Sequence, residues 1–234
     1  GCGFPATLSP ILHLGYDPIL VDYDIKTHNI DVDQVIAAMP KAKALILAHT
    51  MGSPVDMVRI MEESKKHGVH VIEDCCEAIG ASINGLQVGA WGDCGTFSFY
   101  PSHQITAAGS GGMVVCKNEE TYHRMRSMRD WGKLATWDKG GRNNTVYSTN
   151  VDGLHYFAHY TYETIGWNFK LPEVCAAFGR VQLGRLDRIV NSRKNNHDFI
   201  VSRLPEGAFE HIEIVDGARP SWFGVTLTLK NGDR

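Results

Sequence analysis

The stretch "VHVIEDCCEAIG", residues 69–80, places a short apolar strand directly before a cluster of acidic and thiol side chains. Upstream, "KALILAHT" (43–50) is a second apolar run, and "MVRIMEESKKHG" (57–68) between the two has the apolar spacing of an amphipathic helix that ends at a glycine. Short apolar strands separated by helices are typical of a mostly parallel sheet that is covered on both faces. The pattern therefore predicts an α/β fold.

The same alternation continues in both directions along the chain. Further helices are predicted in "ATLSPILHLG" (6–15), "DVDQVIAAMP" (31–40) and "NEETYHRMRSMRDWG" (118–132). Further strands are predicted in "DPILVDYD" (17–24), "CGTFSFY" (94–100) and "GGMVVC" (111–116). Residues 133–164 are polar, glycine-rich and aromatic, without a clear period.

The last third of the chain has a different character. A long helical pattern runs from Pro172 to about Leu204 and is interrupted near Asn191, after which "FEHIEIVDG" (209–217) and "WFGVTLTLK" (222–230) are strand-like. We therefore expect a large domain over residues 1–190 and the start of a small α+β domain over residues 191–234. Because both ends fall inside patterned segments, we expect this chain to be the middle of a longer protein.

Composition excludes several classes of protein. The 234 residues carry a formal net charge of −3, and the absence of a strong basic cluster makes nucleic acid an improbable partner. No apolar run approaches the roughly 18–20 residues that span a membrane, and no charged-then-apolar signal segment is present at the start. The six cysteines show no CxxC spacing, which favours reduced thiols and a cytoplasmic protein.

Candidate functional residues follow the predicted strands, where open parallel sheets bind their ligands. Asp74 ends "VHVIED", and a carboxylate there could hold a cofactor ring nitrogen in its protonated form. Taken alone, each candidate more often has a structural role: Asp74 as a helix cap or turn residue, Ser98 as an ordinary strand serine, and His103 as a hydrogen-bonded loop histidine. His49, at the end of "LILAHT", is expected to form hydrogen bonds in the core.

The order of these segments nevertheless resembles a known family. "VIEDCCEAIGASINGLQVGAWGDCGTFSFYPSHQITAAGSGGMV" (71–114), "ALILAHTMGSPVDM" (44–57) and "IGWNFKLPEVCAAFGRVQL" (165–183) are similar to the sugar aminotransferases of the DegT/DnrJ/EryC1/StrS group. These are pyridoxal-phosphate enzymes of the aspartate-aminotransferase fold type. The resemblance implies fold type I, with a mostly parallel, seven-stranded-type sheet in the large domain, and a nucleotide-linked sugar as substrate.

The resemblance also assigns roles by position. Asp74 would pair with the pyridine nitrogen of the cofactor, Phe4 would stack on its ring, and Ser98 would hold its phosphate. Asn168 matches an asparagine that reaches the phosphate in the neighbouring subunit, which implies a homodimer with shared active sites.

The match breaks at the catalytic lysine, whose position is occupied by His103. No lysine lies between Lys66 and Lys117, so a shifted alignment does not supply one. This replacement resembles a lysine-less branch, the CDP-4-keto-6-deoxyglucose 3-dehydrases and their GDP-sugar counterparts, and both Tyr100 and Glu77 agree with it. The branch implies pyridoxamine phosphate held without a covalent bond, with His103 as the base that leads to loss of the C-3 hydroxyl in dideoxysugar (O-antigen) biosynthesis.

Two departures from that branch bear on the cofactors. Enzymes of the CDP-sugar type carry a [2Fe–2S] cluster on four cysteines; Cys76 fits the first position, but no cysteine occurs between residues 117 and 174. We therefore expect neither an iron–sulfur cluster nor another metal, and either a reductase or glutamate as the reducing or amino source. Ser110 replaces the glutamate of a glycine-rich turn. An ordinary sugar aminotransferase and an inactive dimerising scaffold remain alternatives.

Overall fold

The computed structural model describes residues 3–134, 148–157, 160–210 and 212–230. The helices within these ranges are Pro5–His13 (α1), Val32–Ala38 (α2), Met57–His67 (α3), Glu119–Arg129 (α4), Glu173–Leu183 (α5) and Leu186–Val201 (α6), with short 3₁₀ turns at Met39–Lys41 and Thr50–Gly52. The strands are Tyr23–Asp24 (β1), Asn29–Ile30 (β2), Ala44–Ala48 (β3), His70–Asp74 (β4), Ser82–Ile83 (β5), Leu86–Gln87 (β6), Cys94–Ser98 (β7), Gly112–Cys116 (β8), Ser148–Val151 (β9), Leu154–Phe157 (β10), Phe209–Glu210 (β11), Ala218–Arg219 (β12) and Thr228–Leu229 (β13).

A four-stranded sheet in the order β3-β4-β7-β8 forms the centre of the fold. Strands β3 and β4 are parallel, as are β4 and β7, which confirms the parallel arrangement that the sequence predicts. In this register Ala48 pairs with Asp74, and Asp74 pairs with Thr96. The carboxyl ends of the three strands therefore lie side by side, which is where such sheets bind ligands.

Helix α3 connects β3 to β4 and covers one face of the sheet. The side chain of Asp56 accepts a hydrogen bond from the backbone N–H of Arg59 at the start of this helix, and Gly68 ends it with a φ of 65°. Its apolar face contributes Met57 and Ile60 to a buried cluster that includes Val71 of β4. Burial of side chains of this size stabilises the folded state by about 1.5–3 kcal/mol each.

Several predictions from the sequence differ from the structure. Of the predicted strand 17–24, only Tyr23–Asp24 pairs, and it forms with β2 a hairpin whose strands are two residues long. The helical pattern after residue 172 breaks at Gly184 and Arg185, between α5 and α6, and not near Asn191. Asn191 lies exposed within α6, where a polar side chain faces water without penalty. The stretch predicted to be irregular contains the β9–β10 hairpin, whose turn is Asp152-Gly153.

The last three strands belong to two small sheets. Strand β12 pairs antiparallel with β5, which also pairs with β6 in a small three-stranded sheet. Strand β11 pairs with β13. The two strands predicted over 209–217 and 222–230 are thus much shorter than their patterns, since each pairing involves two residues on each strand.

The chain forms two compact units, Gly1–Val115 with Glu173–Arg234, and Cys116–Pro172. The predicted division into residues 1–190 and 191–234 stays a prediction. No helix in the described part of the chain is both long and apolar enough to cross a membrane.

Candidate active site

Asp74 ends β4 with a part-buried side chain that has two partners. Its Oδ2 accepts a hydrogen bond of 2.8 Å from the hydroxyl of Thr7, and its Oδ1 accepts one of 3.1 Å from the backbone N–H of Cys76. The second contact is the turn role that the residue type alone suggests. The first brings the N-terminal part of α1 to the end of β4, and with it Phe4, the residue that precedes the helix and is 73% exposed.

Glu73, the neighbour of Asp74, is fully buried and anchors the loop before β7. Its Oε1 accepts from the backbone N–H groups of Trp91 and Gly92 at 2.9 and 2.7 Å, and its Oε2 accepts from that of Gly89 at 2.8 Å. Burial alone would raise the pKa of this carboxyl, but the hydrogen bonds from His49 and from the backbone outweigh burial and hold the pKa below its ordinary value. Glu73 is therefore a carboxylate at neutral pH, with a structural role.

His49 completes this buried network. Its Nδ1 accepts a hydrogen bond from the backbone N–H of Val55 at 3.1 Å, so the ring proton resides on Nε2, which donates to Glu73 Oε2 at 3.1 Å. The prediction of a core histidine is confirmed. Cys75 lies near enough for the three side chains to offer ligand atoms within 4.8 Å of one another. Because the carboxylate and both ring nitrogens are already engaged, we interpret this cluster as structural, not as a metal site.

The loop after β7 carries Tyr100 and His103, two of the three residues predicted to be catalytic. Ser98 Oγ accepts from the backbone N–H of Tyr100 at 3.2 Å, and the N–H of His103 donates to the carbonyl of Tyr100 at 3.0 Å, closing a turn. Thr106 Oγ donates to the carbonyl of Phe99 at 2.8 Å. The loop is thus held by its own hydrogen bonds, and the Tyr100 side chain at its tip is 60% exposed.

His103 is part-buried and is surrounded by charged groups. Its Nδ1 is buried and has no hydrogen-bond partner among the described residues. Burial lowers the pKa of the imidazole, and the nearby Arg193 adds to this, whereas Glu77 and Asp74 act in the opposite direction; the pKa lies below its ordinary value. The ring is therefore neutral at pH 7, the form in which an imidazole can accept a proton.

Glu77 and Gln104 connect this loop to its surroundings. Glu77 Oε2 accepts a hydrogen bond of 2.7 Å from the backbone N–H of Met51. Gln104 is buried, and its Nε2 donates to the carbonyl of Glu77 and, at 3.0 Å, to that of Ser221. Sequence analysis did not single out Gln104, Met51 or Thr7. For Gln104 the one available signal was a glutamine directly before the apolar Ile105, as in "HQI". Hydrogen bonds to backbone groups require no particular residue type in the partner, so they leave no pattern in the sequence.

The thiol of Cys76 lies beside Asp74. Burial, and then the hydrogen bond and charge of Asp74, raise the pKa of this thiol to about 12. Cys76 is therefore protonated at neutral pH.

Asn168 lies in the second unit, Cys116–Pro172, and its side chain is exposed. Its backbone pairs with that of Asp130, and the N–H of Trp131 donates to the carbonyl of Trp167 at 2.9 Å. The rings of Trp167 and Phe169 on either side of it are stacked, with centroids 5.7 Å apart and planes 3° from parallel. These contacts fix the backbone that presents the asparagine.

Several known proteins are similar to this chain in sequence. The lipopolysaccharide biosynthesis protein RfbH of Salmonella typhimurium is 38% identical over 237 residues, which cover 97% of this chain and 54% of that protein. The dTDP-4-dehydro-2,6-dideoxy-D-glucose 3-dehydratase of Saccharopolyspora spinosa is 33% identical over 244 residues, covering 97% of this chain and 50% of that enzyme. The chain thus spans about half the length of the curated relatives it matches.

Known structures share its fold. The X-ray structure of an aminotransferase from Psychrobacter cryohalolentis matches with a TM-score of 0.83 at 28% identity, covering 97% of this chain and 57% of that one. The predicted aspartate-aminotransferase fold class, fold type I of the pyridoxal-phosphate enzymes, is confirmed. Because a 3-dehydratase and an aminotransferase are both among these relatives, similarity alone does not select the reaction. The profile of the DegT/DnrJ/EryC1/StrS aminotransferase family matches residues 1–234, and the chain therefore belongs to that family.

Proposed function

We propose that the protein containing this chain removes the C-3 hydroxyl of a nucleotide-linked 4-keto-6-deoxyhexose in deoxysugar biosynthesis. The proposal depends on the presence of a histidine, His103, in the loop after β7. By the resemblance of its surrounding segment to the family, it would stand where the aminotransferases have their lysine, and no lysine occurs from residue 67 to residue 116. Its ring is part-buried, with a buried Nδ1 that has no partner among the described residues, as expected of a group reserved for a ligand or a proton.

Asp74, Ser98 and Phe4 are the residues that would hold pyridoxamine phosphate in this proposal. The part-buried carboxylate of Asp74 would hold the protonated ring nitrogen, Phe4 would lie against the ring, and Ser98 would bind the phosphate. When bound, the cofactor supplies an amine for the C-4 ketone of the sugar and an aromatic ring that withdraws electrons from it. The absence of lysine from residues 67–116 favours binding without a covalent bond.

His103 acts as the general base in this proposal. Its lowered pKa keeps an imidazole nitrogen free to accept the proton whose removal leads to loss of the C-3 hydroxyl. Glu77, held by the backbone N–H of Met51, supplies a negative charge that stabilises the imidazole once it is protonated. Tyr100, exposed at the tip of the loop, is free to contact the sugar.

The overall reaction balances with glutamate as the source of electrons. Glutamate and the 4-keto sugar give 2-oxoglutarate, ammonia and the 3-deoxy-4-keto sugar. The C-3 oxygen leaves as water and another water supplies the keto oxygen of 2-oxoglutarate, so water cancels in the sum. We favour glutamate over a reductase because the chain has no cysteine between residues 117 and 174 to hold an iron–sulfur cluster. Anaerobically purified protein should accordingly contain no stoichiometric iron or sulfide; finding both would show that a reductase-linked cluster is present.

We also propose a homodimer in which Asn168 enters the neighbouring subunit's site. Mixing His103→Asn and Asn168→Ala subunits tests this. A mixed dimer would contain one site with both residues intact, so random pairing restores about a quarter of the wild-type activity. If each site were built from one subunit, every site in the mixture would carry one of the substitutions and mixing would restore nothing.

Product analysis tests the reaction itself. The full-length protein with pyridoxamine phosphate and glutamate is incubated with CDP-linked and GDP-linked 4-keto-6-deoxyhexoses, and the sugars are analysed by mass spectrometry. We expect loss of one oxygen from the sugar together with release of 2-oxoglutarate. An amino sugar would show an ordinary aminotransferase, and cofactor binding without turnover of any substrate would favour the scaffold alternative.

A further inference from the structure

The segment Ser221–Phe223 lies against the loops that form the candidate site. The N–H of Ser221 donates to the carbonyl of Gly52 at 3.0 Å, and that of Phe223 donates to the carbonyl of Met51 at 2.9 Å. The hydroxyl of Ser221 donates to the carbonyl of Ile79 at 2.7 Å. A Cβ atom built at Gly52 would lie 2.0 Å from the carbonyl oxygen of Ser221, so the two backbones approach as closely as a glycine allows.

Helix α6 holds the same segment from a second direction. Arg193 Nη1 donates to the carbonyl of Phe223 at 2.9 Å, and also lies 3.4 Å from that of Trp222. One turn later, the ring of His197 stacks on Trp222, with centroids 4.0 Å apart and planes 3° from parallel. Because Arg193 and His197 are four residues apart, they project from one face of the helix. Gln104 adds a third attachment through the carbonyl of Ser221.

The side chain that this anchored segment presents to the site is Phe223. Its ring lies beside the imidazole of His103, with centroids 5.3 Å apart and an angle of 41° between the planes. Ring pairs at this distance attract one another beyond simple burial. A ring whose backbone is fixed on three sides cannot easily move away, and so limits both the orientation of the imidazole and the access of water to it.

We propose that Phe223 is the positioning residue for His103, held in place by Arg193 and by the attachments of Ser221–Phe223. In this proposal Phe223 acts through the histidine, whose ring it contacts. The importance of this contact for catalysis rests on the proposed role of His103 as the base. The contact between the two rings does not depend on that role.

Burial, more than the charged groups near His103, fixes the direction of the expected pKa change. Glu77 and Asp74 favour the protonated imidazole, and Arg193 disfavours it, but burial is the largest influence and keeps the pKa of His103 below its ordinary value. Removing the Phe223 ring admits water to the imidazole and so relieves the burial. The pKa of His103 should then rise towards that of an exposed histidine.

An NMR titration measures this without requiring turnover. The full-length protein is labelled with ¹³C at histidine Cε1, and the signal of His103 is identified by its loss in His103→Asn. We expect the titration midpoint of His103 to move to higher pH in Phe223→Leu and in Phe223→Met, a second variant that removes the ring. Phe223→Tyr should restore the wild-type midpoint, because it keeps a ring at the same position. Phe199→Leu, which removes an exposed aromatic ring from the same unit, is the matched control and should leave the midpoint unchanged.

A second readout separates positioning from mere stability. The acidic limb of the pH–rate profile should move in the same direction as the NMR midpoint, with kcat reduced and KM little changed. If the folded Phe223→Leu or Phe223→Met protein keeps the wild-type midpoint, the proposal is wrong. Should Phe223→Leu not fold, Phe223→Met alone decides by the same criterion.

The outcomes distinguish this inference from the proposed function. If His103→Asn retains full dehydration while the Phe223 variants shift the His103 midpoint, the contact is real and the assignment of the base is wrong. If His103→Asn abolishes dehydration and the Phe223 variants leave the midpoint in place, only the inference about Phe223 is wrong.

Discussion

Replacing Glu73 with glutamine removes one oxygen from a carboxylate whose two oxygens each accept two hydrogen bonds. Oε1 accepts from the backbone of Trp91 and Gly92, and Oε2 accepts from the backbone of Gly89 and from His49. In either orientation of the amide, its NH₂ group faces two donors. His49 cannot reverse its role by moving its proton, because its other nitrogen already accepts a backbone N–H.

The expected cost follows from counting these donors. A buried donor left without a partner costs about 1–3 kcal/mol, so two of them destabilise the protein by about 2–6 kcal/mol. Urea denaturation of the full-length protein measures the change in free energy of unfolding, with Glu62→Gln on the exposed face of α3 as the control. Hydrogen exchange of the amides at residues 89–92 reports the local effect. A loss below about 1 kcal/mol with unchanged exchange would refute the anchoring role of Glu73.

Three further outcomes test other contacts. Because the pKa of Glu73 is lowered in the folded state, the carboxylate stabilises the protein above the ordinary glutamate pKa of about 4.3, and this stabilisation is lost as the pH falls through the lowered value. Urea midpoints measured from pH 7 downwards should show the loss in the wild-type protein, and Glu73→Gln should abolish this pH dependence. Gly52→Ala should destabilise the protein more than Gly85→Ala in the same assay, since the φ values are similar, 87° and 81°, but only the first Cβ meets the carbonyl of Ser221. Cys76, with its pKa near 12, should be alkylated by iodoacetamide at pH 8 far more slowly than an ordinary exposed thiol, as followed by peptide mass spectrometry; a rate equal to that of a free thiol would contradict the raised pKa.

The central β3–α3–β4 unit could be predicted because the helix is long enough for its apolar spacing to be unambiguous. Five-residue apolar strands flank an eleven-residue amphipathic helix that has both a capping residue and a terminal glycine. Once the strands are parallel, their ends must lie together, so the place of Asp74 at this edge of the sheet could be predicted. The role expected of His103 came from the order of motifs in the family, and it stays a prediction.

The short strands could not be predicted in the same way. A strand such as Tyr23–Asp24 extends only as far as its partner does, and the partner is two residues long. The sequence pattern of residues 17–24 carries no information on that partner. In contrast, the turn Asp152-Gly153 is a strong hairpin signal that could have been recognised within the stretch predicted to be irregular.

The surroundings of the candidate base were also hidden from sequence analysis. Phe223 is separated from His103 by more than a hundred residues, and Arg193 and Gln104 act through backbone carbonyls. A carbonyl is present at every position, so such contacts impose no residue type on the partner. Only the folded chain shows that these residues share one site.

The central claim is that His103 serves as the base in place of the family's lysine. Its most direct test is the rate at which the methylene protons of bound pyridoxamine phosphate exchange with deuterated water in the wild-type protein and in His103→Asn, read by mass spectrometry of the released cofactor. A general base contributes about 10²–10⁴-fold, so we expect His103→Asn to lose exchange by at least that lower factor while keeping its fold and its bound cofactor. Exchange at the wild-type rate in His103→Asn would contradict the claim and leave His103 as a loop residue.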